Sequence, residues 1–81
     1  MPEHESLKQT AREVVGEMVK GRVGDADYLV SSGLIDSLSV LTLISSLEKR
    51  LRIRIPKEQV QPEDFDSVDL IVETIERVAQ P

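Results

Sequence analysis

The chain has 81 residues, 15 acids against 10 bases, a net charge of −5, no cysteine and only 2% aromatic residues. That length suits one small domain spanning residues 1–81. Lack of cysteine excludes disulfides, a thiolate nucleophile and Cys-type zinc sites, the acidic balance argues against nucleic-acid binding, and no window reaches the apolar length of a membrane span.

With Tyr28 and Phe65 the only aromatics, Leu, Ile and Val have to fill the core, which suits helix-on-helix packing. The N-terminus lacks the apolar core of a signal peptide. The expectation is a soluble, cytoplasmic, monomeric all-α protein with no segment inserted in a membrane.

Residues 3–20 read as a first helix, because Leu7, Ala11, Val14, Val15, Met18 and Val19 recur at helical spacing. Ser6-Leu7-Lys8-Gln9 has the form of a capping box, with an earlier start at Pro2-Glu3 as the alternative. Gly21 is the expected stop. His4, the one histidine, is assigned no role.

Residues 22–36 form a long loop punctuated by Gly24 and Gly33. A loop of this length is either functional or pinned by apolar anchors. Val23, Tyr28, Leu29, Leu34 and Ile35 are the candidate anchors. Ser31 and Ser32 read as turn residues, since neither has a base near it in sequence.

Gly33-Leu34-Ile35-Asp36-Ser37-Leu38 then opens an apolar run. Residues 37–51 read as the second helix. At about 100° per residue, Val40, Leu43, Ile44, Leu47 and Leu51 share one arc, which is the core face. Leu38, Leu41 and Ser45 fall on the other side. Ser37 sits at or next to the helix N-terminus, where unpaired amides and the helix dipole favour a phosphate. Ser37 or Asp36 also suits the plain role of N-cap.

Ile53-Arg54-Ile55-Pro56 alternates like a strand but is too short for a sheet; it is expected to plug two isoleucines into the helix layer, with Pro56 blocking helix continuation. Val60 and Phe65 anchor the polar stretch 57–66. A short helix is expected around Glu63 to Asp66, with Pro62 in its first turn and the acids at its positive end. Asp64, Asp66 and Asp69 lack the glycine and the final glutamate of a calcium loop, so no metal site is assigned. Ser67 caps a last helix running to about Ala79, striped by Val68, Ile71, Val72, Ile75 and Val78. The whole reads as a small four-helix bundle, three main helices and one short one.

Gly-x-x-Asp-Ser-Leu at the head of an amphipathic helix, with a helix and long loop before it and Ile53-Arg54-Ile55-Pro56 and a last helix after it, resembles the acyl and peptidyl (aminoacyl) carrier protein family over nearly the whole chain. The resemblance implies the acyl-carrier bundle fold. It implies that Ser37 receives 4′-phosphopantetheine from coenzyme A, with Asp36 as the adjacent acid that assists the Mg²⁺-dependent phosphopantetheinyl transferase. Such a protein is not an enzyme. It carries acyl or aminoacyl groups as thioesters between an activating ligase and downstream acyltransferase or condensing enzymes, here in a specialised lipid, polysaccharide or secondary-metabolite pathway. Two alternatives stand beside a general acyl carrier: an aminoacyl or D-alanyl carrier loaded by an adenylating ligase, and an unmodified helical interaction module.

The resemblance also makes the outer face of the second helix the partner surface: Leu38, Leu41, Thr42, Ser45 and Lys49. Fatty-acid-type carriers show acids along that helix. Here Glu48 is the one acid between Ser37 and Arg54, against Lys49, Arg50, Arg52 and Arg54. The expected partner therefore reads an apolar, hydroxyl-rich patch with the basic helix end as a second contact, and fatty acid synthase enzymes use the chain poorly.

Overall fold

The computed structural model describes residues 3–19 and 21–80. Three α-helices form the body: α1 over His4–Met18, α2 over Ser37–Leu51 and α3 over Val68–Val78. Two 3₁₀ turns, Lys57–Gln59 and Pro62–Phe65, lie between α2 and α3. The all-α bundle holds, with two short 3₁₀ turns where one short helix is expected. Neither forms a regular α-helical segment.

α1 packs against both α2 and α3, and the Pro62–Phe65 turn touches α2 and α3. The core is aliphatic apart from one ring: Leu7, Leu29, Leu43, Leu47, Ile55, Ile71, Ile75 and Phe65 are all essentially without solvent contact. Full burial of each such side chain contributes about 1.5–3 kcal/mol. The α2 core face is Val40, Leu43, Ile44 and Leu47, as the period requires, while Leu51 at the end of the arc is only half-buried.

The helix ends show how local chemistry sets the boundaries. α1 is capped by Glu3 without a side-chain bond, so the Ser6 capping box does not form; Ser6 lies inside the first turn and is exposed. Of the earlier-start alternative, Glu3 fits and Pro2 lies outside the described residues. α1 also stops at Met18, before Gly21, because Val19 turns extended (φ −117) and buries its side chain in the core. Lys20 lies outside the described residues. α3 is capped as expected: the Ser67 hydroxyl accepts the Leu70 amide at 3.1 Å.

Ile53-Arg54-Ile55-Pro56 runs beside the C-terminal end of the chain. Arg54 and Gln80 exchange backbone hydrogen bonds of 2.8 and 2.9 Å. Ile55 plugs the core fully and Ile53 only partly. Glu48 accepts the Ile55 amide at 2.9 Å, which fixes the chain as it leaves α2.

Candidate functional site

α2 begins directly after the long loop, and its first residues form the candidate site. Asp36 is the N-cap: its Oδ1 accepts the Ser39 amide at 2.7 Å. The amide and hydroxyl of Ser39 hold the Asp36 carboxyl below the usual carboxylate range, so it stays ionised. Ser37 is the first helical residue, exposed, and its hydroxyl has no hydrogen-bond partner among the described residues. Val40 donates to the Asp36 carbonyl, whereas the Ser37 and Leu38 amides have no backbone acceptor. The choice between Ser37 and Asp36 as cap is thus decided for Asp36, and the serine hydroxyl is left available.

The outer stripe of α2 continues from this point. Leu38 is 78% exposed and Leu41 52% exposed, while Ile44, three residues on, is 3% exposed. Thr42, Ser45 and Lys49 are exposed on the same side. The basic end is smaller than the sequence suggests. Arg50 turns toward α1 and pairs with Glu17 and, at 3.7 Å, with Glu13. The Arg54 guanidinium donates to Gln80 Oε1 at 2.8 Å. Lys49 and Arg52 have no ion-pair partner among the described residues. A groove of about 90 Å³ lies against Ser37, lined by Val40, Leu41, Ile44, Val60 and Pro62 among others.

The loop before Ser37 is held differently from the expectation. Leu29 and Ile35 are buried anchors and Val23 is half-buried, but Tyr28 and Leu34 are exposed. The reason is local. Ile35 donates to the Leu29 carbonyl at 2.9 Å, so the residues between bulge outward as a closed turn. Gly33, at φ +86, allows that turn without a Cβ penalty. Leu34 lies within that turn and Tyr28 just before it, and both side chains stay exposed.

One side chain that the sequence presents as a helix-end acid closes this loop. Asp66 is buried, and its Oδ1 accepts the amides of Leu29 (3.1 Å), Val30 (2.7 Å) and Ser31 (2.9 Å). Its Oδ2 accepts the Ser31 hydroxyl at 2.8 Å. Burial alone raises the Asp66 pKa, but these donors outweigh it and hold the carboxyl below its ordinary value. No local signal in the sequence marks this role, since its partners lie 35 to 37 residues away.

A small helical bundle that displays an unpartnered serine hydroxyl at a helix N-terminus, beside an ionised acid, has the architecture of a carrier protein. The chain matches the family model described as phosphopantetheine attachment site over residues 5–75, and it belongs to that family. It is 30% identical over 71 residues to the D-alanyl carrier proteins of Streptococcus sanguinis (strain SK36), Streptococcus gordonii (strain Challis) and Streptococcus thermophilus (strain LMD-9), covering 85% of this chain and 90% of each relative. The protein is a carrier domain whose cofactor is a covalent 4′-phosphopantetheine. No described helix is long and apolar enough to cross a membrane.

Proposed function

We propose that residues 1–81 act as one discrete carrier domain, that Ser37 is the attachment residue, and that the cargo is a small aminoacyl group of the D-alanine kind, loaded by an adenylating ligase. The observation that carries the first part is the exposed, unpartnered Ser37 hydroxyl at the start of α2. When bound, the prosthetic group supplies a thiol on a flexible tether, which holds cargo as a thioester at high local concentration near each partner. Asp36 stays ionised beside the hydroxyl and keeps the helix start rigid through Ser39. In a phosphopantetheinyl transferase complex its carboxylate would help to hold the Mg²⁺ that neutralises phosphate charge. The helix N-terminus favours the phosphate that Ser37 would carry.

One observation supports a small cargo over a fatty chain: the similar proteins are D-alanyl carriers. The domain serves as a substrate for its partners, in the cytoplasm where coenzyme A is supplied, and performs no catalysis itself. Its partner face is Leu38, Leu41, Thr42, Ser45 and Lys49, with Arg52 beyond.

Intact mass after incubation with a promiscuous transferase and coenzyme A tests the attachment. A gain of one phosphopantetheine mapped to Ser37 is expected. A chain that stays unmodified favours the plain interaction module. Thioester formation with D-alanine, ATP and a D-alanine-activating ligase tests the cargo, against a fatty acid and its ligase as the competing arm.

A further inference from the structure

The Asp66 carboxylate does more than satisfy its own burial. It gathers three consecutive amides and one hydroxyl from Leu29 to Ser31, and the Asp66 carbonyl accepts the Leu29 amide as well, at 2.7 Å. The Leu29 carbonyl in turn accepts the Ile35 amide. Ile35 is the residue before Asp36 and Ser37. A continuous chain of short contacts therefore runs from the head of α3 through the loop to the head of α2. Leu29 and Ile35 are also buried in the core, and the other polar contacts of the loop lie within its turn or upstream of it. The Ser32 hydroxyl donates to the Tyr28 carbonyl at 2.6 Å, and the Gly33 amide to Val30, both within the turn itself. Other long-range ties lie upstream at Asp25, whose carbonyl accepts the Asp69 amide and whose carboxylate is held by Arg12 and Lys8.

We propose that Asp66 is a positioning residue for the modification of Ser37: its carboxylate fixes the loop, and the loop fixes the path by which the chain enters α2 and presents the serine hydroxyl. The proposal rests on Ser37 being the attachment residue. Asp66 touches neither Ser37 nor Asp36 and acts only through Leu29–Ser31 and Ile35. Orientation of a nucleophile is worth large factors, since a misplacement of about 1 Å can cost about 100-fold.

The test compares the parent with Asp66→Ala, Asp66→Asn and Ser31→Ala, using a promiscuous phosphopantetheinyl transferase, coenzyme A and amide hydrogen exchange. Asp66→Ala is expected to lower kcat by about tenfold with little change in KM, because a mobile loop presents the hydroxyl less often in the reactive pose. Exchange at Val30 and Ser31 rises while the helix interiors stay protected. Asp66→Asn keeps an oxygen for the amides and recovers most of the rate. Should the Ala variant fail to fold, Ser31→Ala, which removes only the hydroxyl contact, decides: its kcat falls about twofold at an unchanged melting temperature. Parental kcat in the folded Ala variant, or in Ser31→Ala when that variant decides, overturns the proposal. An unmodified parent, or modification mapped away from Ser37, instead overturns the attachment assignment.

Discussion

The Asp36 carboxylate accepts the Ser39 amide at 2.7 Å, and that one bond frees the Ser37 hydroxyl from any capping duty. Were Ser37 the cap, its oxygen would be tied to the helix and its removal would cost stability. Capping and modification are instead divided between two neighbouring residues.

Substitutions at this pair should separate the two duties. Ser37→Ala is expected to melt with the parent and gain no mass with transferase and coenzyme A. Asp36→Ala loses the cap and should cost about 1 kcal/mol. Asp36→Asn retains a capping oxygen, so its melt should match the parent within a few tenths of a kcal/mol, yet its modification should slow because the ionised neighbour is gone. Equal modification rates for Asp36→Asn and the parent would remove the proposed charge role.

The two faces of α2 give a second contrast. Ile44 is buried and Leu41 exposed. Ile44→Ala should destabilise by roughly 2–5 kcal/mol. Leu41→Ala should shift the melt by no more than about 0.5 kcal/mol and instead reduce loading by the cognate ligase. Denaturant titration and loading rate, taken on the same samples, check both halves.

Acid should loosen the junction of α1 with the loop. Arg12 holds Asp25 through two hydrogen bonds of 2.9 and 2.7 Å, and Lys8 lies 3.4 Å away. The Arg12 bonds bring the Asp25 pKa from 3.8 down to about 2. A depressed folded-state pKa means that this pair's contribution is complete above the unfolded value near 3.8 and is lost as pH falls through about 2. The melting difference between the parent and Arg12→Gln should therefore be constant above about pH 5 and shrink between about pH 4 and pH 2. Its size is modest, since the pair is partly exposed to solvent. A difference that does not narrow in acid counts against the pair.

The partner face predicts a charge effect carried by Lys49 and Arg52 and not by Arg50. Lys49→Glu with Arg52→Glu should slow ligase loading, most at low ionic strength, because exposed charges steer encounter and are screened by salt. Arg50→Glu should chiefly lower the melting temperature, since it places a carboxylate beside Glu13 and Glu17. Loading rates against salt for the two variants distinguish these outcomes. An unchanged rate in the Lys49/Arg52 variant leaves only the apolar patch.

Much of the body was legible in the residues. α2 runs over Ser37–Leu51, the span its apolar period marks, and the Ser67 cap starts α3 where the hydroxyl precedes the Val68 stripe. Val40, Leu43, Ile44 and Leu47 face inward because a 3.6-residue turn leaves them no other common side. The loop resisted the same reading. Apolar character points Tyr28 and Leu34 inward, yet both are exposed, because a segment without a helical period assigns no face to its side chains.

The three main helices, most of their buried faces and the placing of Asp36-Ser37 at a helix start are written in the order of the residues. These follow from contacts within a few residues, where backbone geometry is fixed by local spacing. The folded chain settles which of the two residues caps α2, that Arg50 is spent on Glu13 and Glu17 of α1, and that Asp66 clamps Leu29–Ser31. Each of the last two joins groups more than thirty residues apart. The capping choice turns on hydroxyl and carboxylate positions that two adjacent polar residues satisfy equally well on paper. The two distant contacts form only after apolar burial has brought α1, α2, the loop and the start of α3 together, so the packing chooses the partners of those polar groups.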